Sequence, residues 1–120
     1  MKFKNRLIIK PGTWNNFYYS KEVLKGMKVK EPVIITDSFE NGIQNIMGLA
    51  NNFRFKGNKW TADIDILKDI PEKILSLLEV APTIKGKSDN GEMKNPLELV
   101  ELALVLKSAI VGNKLMGEKK

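Results

Sequence analysis

The stretch that most restricts the fold is KGNKWTADIDIL, residues 56–67, in which Trp60, Ala62, Ile64 and Ile66 alternate with Thr61, Asp63 and Asp65 directly after Gly57-Asn58. A period of two separates apolar from polar side chains on an extended strand and mixes them on a helix. Phe53 and Phe55 alternate with polar residues before the Gly57-Asn58 pair, and both turn residues tolerate φ > 0, so a hairpin is predicted there. Upstream, Pro32 precedes the β-branched run Val33, Ile34 and Ile35, and a second apolar run covers residues 46–51. Gly48 inside that run points to a bulge or a close backbone approach. Residues 32–67 therefore read as a β-meander.

The remainder of the chain supplies shorter signals. Residues 3–10, FKNRLIIK, read as an opening strand ended by Pro11-Gly12. Residues 13–19 carry Trp14, Phe17, Tyr18 and Tyr19, which suit either a stacking platform for bases and sugars or a loop pinned to the core by its aromatics. Ser20 fits a helix N-cap with Glu22 in the first turn, so a short helix is expected over 21–27, loosened by Gly26. Pro71 suits the first position of a second helix reaching 79, with Asp69 as its cap and Ile74, Leu75, Leu77 and Leu78 as an apolar stripe. Residues 83–95 are polar and glycine-bearing and read as an exposed loop. Residues 97–110 fit both periods, helical through Leu99, Leu102, Leu106 and Ala109 and extended through Val100, Leu102, Leu104 and Leu106.

Composition limits the chemistry. The 120 residues include no cysteine and no histidine, which removes disulfides, thiolates, Ser-His-Asp and Cys-His arrangements and zinc sites of the usual kind, so no cofactor and no metal are expected. No apolar run approaches the ~18 residues of a membrane span, and the apolar part of the amino terminus is too short for a signal peptide. The expectation is a cytoplasmic protein with no membrane partner, folded as one domain over 1–112 with a frayed lysine-rich tail at 113–120. The net charge is +6, and all the basic residues except Arg6 and Arg54 are lysines. Lysine lacks the fork that reads bases in pairs, so the excess implies diffuse attraction to polyanions or simply a solvated surface.

Two acidic groupings stand out. Asp37, Ser38 and Glu40 lie in the polar loop DSFENGIQN after residue 36, a loop of the kind that carries function, yet without histidine they form no triad. Asp63 and Asp65 share a strand face about 7 Å apart, a spacing that suits acid-base work or a hard cation, and equally the outward face of a half-buried strand.

The order of these pieces resembles the head-maturation (prohead) proteases of tailed phages and proviruses, in particular the Mu-I-like branch, which is related in fold to herpesvirus assemblin. GTWNNFYYSKEVL at residues 12–24 is similar to the family's Gly-Trp loop and Tyr-Ser-x-Glu-x-Leu helix start. PVIITDSF, IMGLANNFRF and KGNKWTADIDIL are similar to its Pro-Val strand, its Ile-Gly-x-Val strand and its hairpin. LLEVAPTIKG, residues 77–86, resembles the segment bearing the family's nucleophile, and ELALVLKSAIVG, residues 101–112, resembles its closing Glu-x-x-Leu-Val-x-x-Pro-Ala segment. The resemblance places the family's histidine at Asp37 or Ser38 and its serine at Ala81. Acyl transfer needs an activated hydroxyl and a base, so these positions are degenerate.

What the resemblance implies is an α+β fold, a mainly antiparallel, partly closed β-barrel with two or three short peripheral helices, in which residues 97–106 are a strand. The implied function is non-catalytic and acts in capsid assembly through contacts with a capsid or scaffold protein, or with further copies of the chain. Ala81 should then lie at the end of the helix over 71–79, in a shallow groove shared with Asp37 and Ser38. A second reading, from charge and aromatics alone, is a small basic barrel that holds nucleic acid through its lysines and Trp14, Phe17, Tyr18 and Tyr19. A third is a peptidase that pairs Ser88 with Lys85 or Lys87, set in a loop too mobile for good preorganisation.

Overall fold

The computed structural model describes residues 1–37, 46–106, 108, 110 and 112–116. The strands are β1 (Lys2–Ile9), β2 (Gly12–Trp14), β3 (Phe17–Tyr19), β4 (Lys28–Val29), β5 (Val33–Thr36), β6 (Ile46–Lys56), β7 (Lys59–Ile66), β8 (Glu79–Asp89) and β9 (Glu92–Val105). Two short helices accompany them, α1 (Lys21–Lys25) and α2 (Glu72–Leu75). The nine strands of the described residues belong to one sheet. The protein is mostly strand with short helices, as expected, and its sheet is an open, strongly curled half-barrel that does not close fully.

β9 is the spine of this sheet. Its one edge pairs antiparallel with β8, from Glu79 opposite Val105 to Asp89 opposite Glu92. Its other edge takes three strands in parallel, β3 at Glu92, β4 at Glu98 and Leu99, and β5 at Leu102 and Ala103. From β5 the sheet continues through β6 and β7 to β1 by antiparallel pairing. The expected meander over 32–67 is thus present as β5, β6 and β7. Residues 97–105 are strand, and pairing on both edges decides this against the helix-forming leucines, glutamates and alanines of the segment. Pro96 sits where the register with β8 slips, between Lys94 and Glu98, so its missing N–H interrupts no ladder bond.

Three two-residue turns shape the hairpins. Asn15-Asn16, Gly57-Asn58 and Asn90-Gly91 all carry φ between +51° and +77°, the geometry that matches the twist of the flanking strands. The Gly57-Asn58 hairpin is as expected. Residues 13–19, read as a loop, are instead the β2–β3 hairpin, and residues 83–95, read as an exposed loop, are the facing ends of β8 and β9. The Asn-Gly pair at 90–91 is a strong hairpin signal whose weight the surrounding polar residues masked.

α1 follows expectation: the Ser20 hydroxyl accepts from the Val23 N–H at 3.1 Å, and Gly26 ends the helix. α2 does not. It spans four residues, and Asp69 supplies no cap, since the residue before the helix is Pro71 and no side chain bonds there. Of its expected apolar stripe only Leu75 is buried, while Ile74 and Leu77 are 46% and 57% exposed. The chain leaves the helix early because β8 draws residues from Glu79 onward into the sheet, so Ala81-Pro82 lies within a strand.

The core fills the concave side with Ile8, Leu24, Ile35, Ile64, Leu75, Leu97 and Leu102, all nearly inaccessible to solvent. Gly48 lies against β7, where a methyl group would stand 2.2 Å from the Asp65 carbonyl oxygen, so its role is close backbone approach. The expected frayed tail does not begin at residue 113. Asn113 and Leu115 are buried, and Lys114 forms a bridge with Glu79. The Asn113 amide donates to the Ile8 carbonyl at 2.7 Å and the Val80 carbonyl at 3.0 Å, which ties β1 to β8 across the open side of the half-barrel. Its backbone carbonyl accepts from the Val80 N–H at 2.7 Å. Beyond Val80, Pro82 has no N–H to offer, so the free edge of β8 is a poor template for another strand.

Candidate functional site

Of the positions singled out by the resemblance, Ala81 lies on β8 beside β9, and Asp37 follows the end of β5, which pairs with β9 on its other edge. Thr36 and Ala81 are both register partners of Ala103, one through β5 and the other through β8. Residues directly opposed in a sheet project on the same face, and strands lie roughly 4.8 Å apart, so Thr36 and Ala81 flank Ala103 about 10 Å from each other. Asp37 follows Thr36 at the end of β5. Ser38 and Glu40 lie outside the described residues. All three members of the row are buried, with Ala81 3% exposed.

Ala81 stands within β8, not at the end of a helix, and the cavity it borders is another one than expected. That cavity, about 70 Å³, is lined by Ile9, Trp14, Tyr19, Ala81, Ile84 and Ser108 among others, and Asp37 is not part of its wall. Ser108 is a residue the sequence did not single out. Its hydroxyl accepts from the Ile110 N–H at 3.1 Å, and its own N–H donates to the Glu79 carboxylate at 2.7 Å, so both groups serve the chain's turn after β9. No general base faces this hydroxyl among the residues that line the cavity.

Asp63 and Asp65 have separate occupations. β1 slips register between Phe3 and Arg6, and β6 slips between Asn51 and Arg54, so a bulge lies on each side of β7 at Asp63. Asn5 and Asn52 adopt φ +56° in those bulges, a conformation asparagine accepts more readily than most residues. The Asp63 carboxylate accepts from the Asn5 N–H at 3.0 Å and the Asn52 side-chain amide at 3.0 Å, and the Arg54 guanidinium lies 3.2 Å away. Arg54 also donates to the Asn5 side chain. These hydrogen bonds, first the one from Asn52 and then that from Asn5, hold the Asp63 carboxyl below its ordinary pKa. Glu31 completes the β6 bulge by accepting from the Asn52 and Phe53 N–H groups at 2.7 and 3.2 Å. Asp65 instead lies 3.7 Å from the amino terminus. Asp63 is a structural lock between the two bulges, and no cluster of three or more metal-ligating side chains occurs among the described residues.

The four aromatics of the β2–β3 hairpin divide. The Trp14 indole donates to the Lys10 carbonyl at 2.8 Å and packs against the core, and Tyr19 is partly buried, which raises its phenol pKa. Phe17 and Tyr18 are 39% and 45% exposed. Ser88 and Lys87 are consecutive on β8 and so face opposite sides of the sheet, which separates the hydroxyl from that ammonium. Lys85 is a register partner of Glu98.

Comparison with known proteins adds no relative: no family model, no curated protein and no solved structure matches the chain. No described helix is long and apolar enough to cross a membrane. The class the fold defines is a strongly curled, strand-dominated half-barrel with two short helices.

Proposed function

We propose that this chain is a non-catalytic protein of the head-maturation-protease type, encoded by a virus or provirus, which acts inside the cell or the growing particle by contact with a capsid or scaffold protein. The observation that carries the reading is the row Thr36, Ala103, Ala81. Thr36, the residue before the positions that the resemblance assigns to the base, and Ala81, which it assigns to the nucleophile, flank the same position of β9, and Ala81 carries a methyl group in place of a hydroxyl. A fold can persist after its chemistry is lost, because sheet pairing sets these backbone positions whatever side chains they carry. Exposed Ile74, Leu77 and Leu106, near the ends of α2 and β9, provide apolar surface for such contacts.

The reading requires that the purified chain leave casein and capsid-derived peptides intact and take up no fluorophosphonate. Labelling of Ser88, Ser108 or any other serine, seen by mass spectrometry, would overturn it.

A further inference from the structure

We propose that the end of the half-barrel built around Trp60 binds single-stranded nucleic acid, through Lys10, Lys25, Lys56 and Lys59 with Phe17 as a stacking face. The surface is independent of the Thr36 to Ala81 row. Lys56 and Lys59 are direct cross-strand partners on either side of Gly57-Asn58, a like-charge pairing that a sheet ordinarily avoids. The next residue, Trp60, faces the other side of the sheet and donates its indole N–H to the Leu24 carbonyl at 2.6 Å, so Lys25 at the end of α1 borders this strand end from that side. Trp60 is also the register partner of Ile9, so Lys10 adjoins Lys59. The Lys10 ammonium lies 5.9 Å from the centre of the Trp14 ring, and Trp14 pairs with the exposed Phe17 across the β2–β3 hairpin.

Lys10, Lys56 and Lys59 therefore gather at one strand end with Lys25 at its border, and the nearby carboxylates are Glu22 of α1 and Glu92, the register partner of Tyr18 beside Phe17. The ion pairs of the described residues are Met1 with Asp65, Arg54 with Asp63 and Lys94 with Glu92, and none involves these four lysines. Clustered charge without carboxylate partners among the described residues fits a polyanion. Lysines without a guanidinium fork grip phosphates and read no base edges, while an exposed phenyl ring stacks on any unpaired base, so the fitting polyanion is single-stranded and its sequence immaterial. At the other end of β1, Lys2 is opposite Asp65, and its charge is locally offset.

The test is fluorescence anisotropy with a labelled oligo-dT of about 15 nucleotides across about 50–300 mM NaCl. Four phosphate contacts give a slope of log K against log salt near −3, at about 0.7 per contact for a single strand. The double variant Lys56→Gln/Lys59→Gln should flatten that slope by about 1.4 and weaken binding at least about tenfold at the lowest salt. Phe17→Ala should weaken binding about tenfold and leave the slope unchanged, since stacking carries no counterion. Lys2→Gln/Lys4→Gln should change neither quantity. The proposal falls if no binding occurs at about 50 mM NaCl, or if Lys2→Gln/Lys4→Gln flattens the slope as much as Lys56→Gln/Lys59→Gln. It falls too if a duplex or polyglutamate binds as tightly as oligo-dT. Should the Lys56/Lys59 variant lose its circular-dichroism melt, Lys10→Gln/Lys25→Gln carries the same expectation.

Discussion

One polar side chain fastens β1 on each of its edges, in addition to the ladder it forms with β7, and the two fastenings differ in exposure. On one side Asp63 of β7 grips the β1 bulge at Asn5 and, through Asn52 and Arg54, the facing bulge of β6. On the other side Asn113 spans the opening of the half-barrel from Ile8 to Val80. Asp63 faces solvent, carries charge and is screened. Asn113 is 1% exposed, neutral and surrounded by the core. A hydrogen bond adds little beyond what water offers at the surface, whereas a buried carbonyl deprived of its donor loses water and partner together. The buried amide should therefore stabilise the fold more than the charged lock, although the lock makes more bonds.

The largest expected effect follows from that contrast. Asn113→Leu leaves the Ile8 and Val80 carbonyls without the side-chain donor and should cost about 2–4 kcal/mol in urea unfolding, with the slope against denaturant unchanged. A cost under about 1 kcal/mol would mean that water replaces the amide and that the opening is not sealed there. Asp63→Ala should cost less, about 1 kcal/mol, most of it from the hydrogen bonds with Asn5 and Asn52 because solvent screens the Arg54 pair.

Acid sharpens the comparison further. The Asp63 carboxyl titrates lower in the folded protein than in the unfolded chain, so its contribution is fully present above the unfolded value near 3.9 and disappears as pH falls through the folded value. Wild type should therefore lose more stability than Asp63→Ala between about pH 5 and pH 2. Asn113→Leu, which alters no titrating group, should lose as much as wild type over the same range. Parallel curves for all three proteins would contradict the assignment of Asp63 as the acid-sensitive fastening.

Legibility followed the same division between local and distant causes. The β6–β7 hairpin could be read because its period of two and its Gly57-Asn58 turn lie within consecutive residues. The α1 cap at Ser20 could be read for the same reason. β9 could not be read from periodicity, although the resemblance implied a strand over 97–106, because its residues favour a helix and the strands on its two edges, brought from four separate places in the chain, hold it extended. Asp63 and Asp65 were visible as a pair, but the bulges that give Asp63 its partners come from register slips in two other strands. Asn113 carried no signal at all beyond following Gly112, whose φ of +92° turns the chain inward. Ala81 was marked only by the resemblance, and its place beside Ala103 depends on the β8–β9 hairpin that the polar run at 83–95 concealed.

The central claim is that this half-barrel works by holding and not by cutting. The proposed function is measured most directly by co-expression of the chain with a major capsid protein encoded in the same genome, followed by sedimentation and intact-mass analysis of both chains. The account predicts that the chain sediments with the assembling shells and that the capsid protein keeps its full mass. A chain that stays at the top of the gradient while shells form without it, or a capsid protein shortened only when the chain is present, would contradict the account.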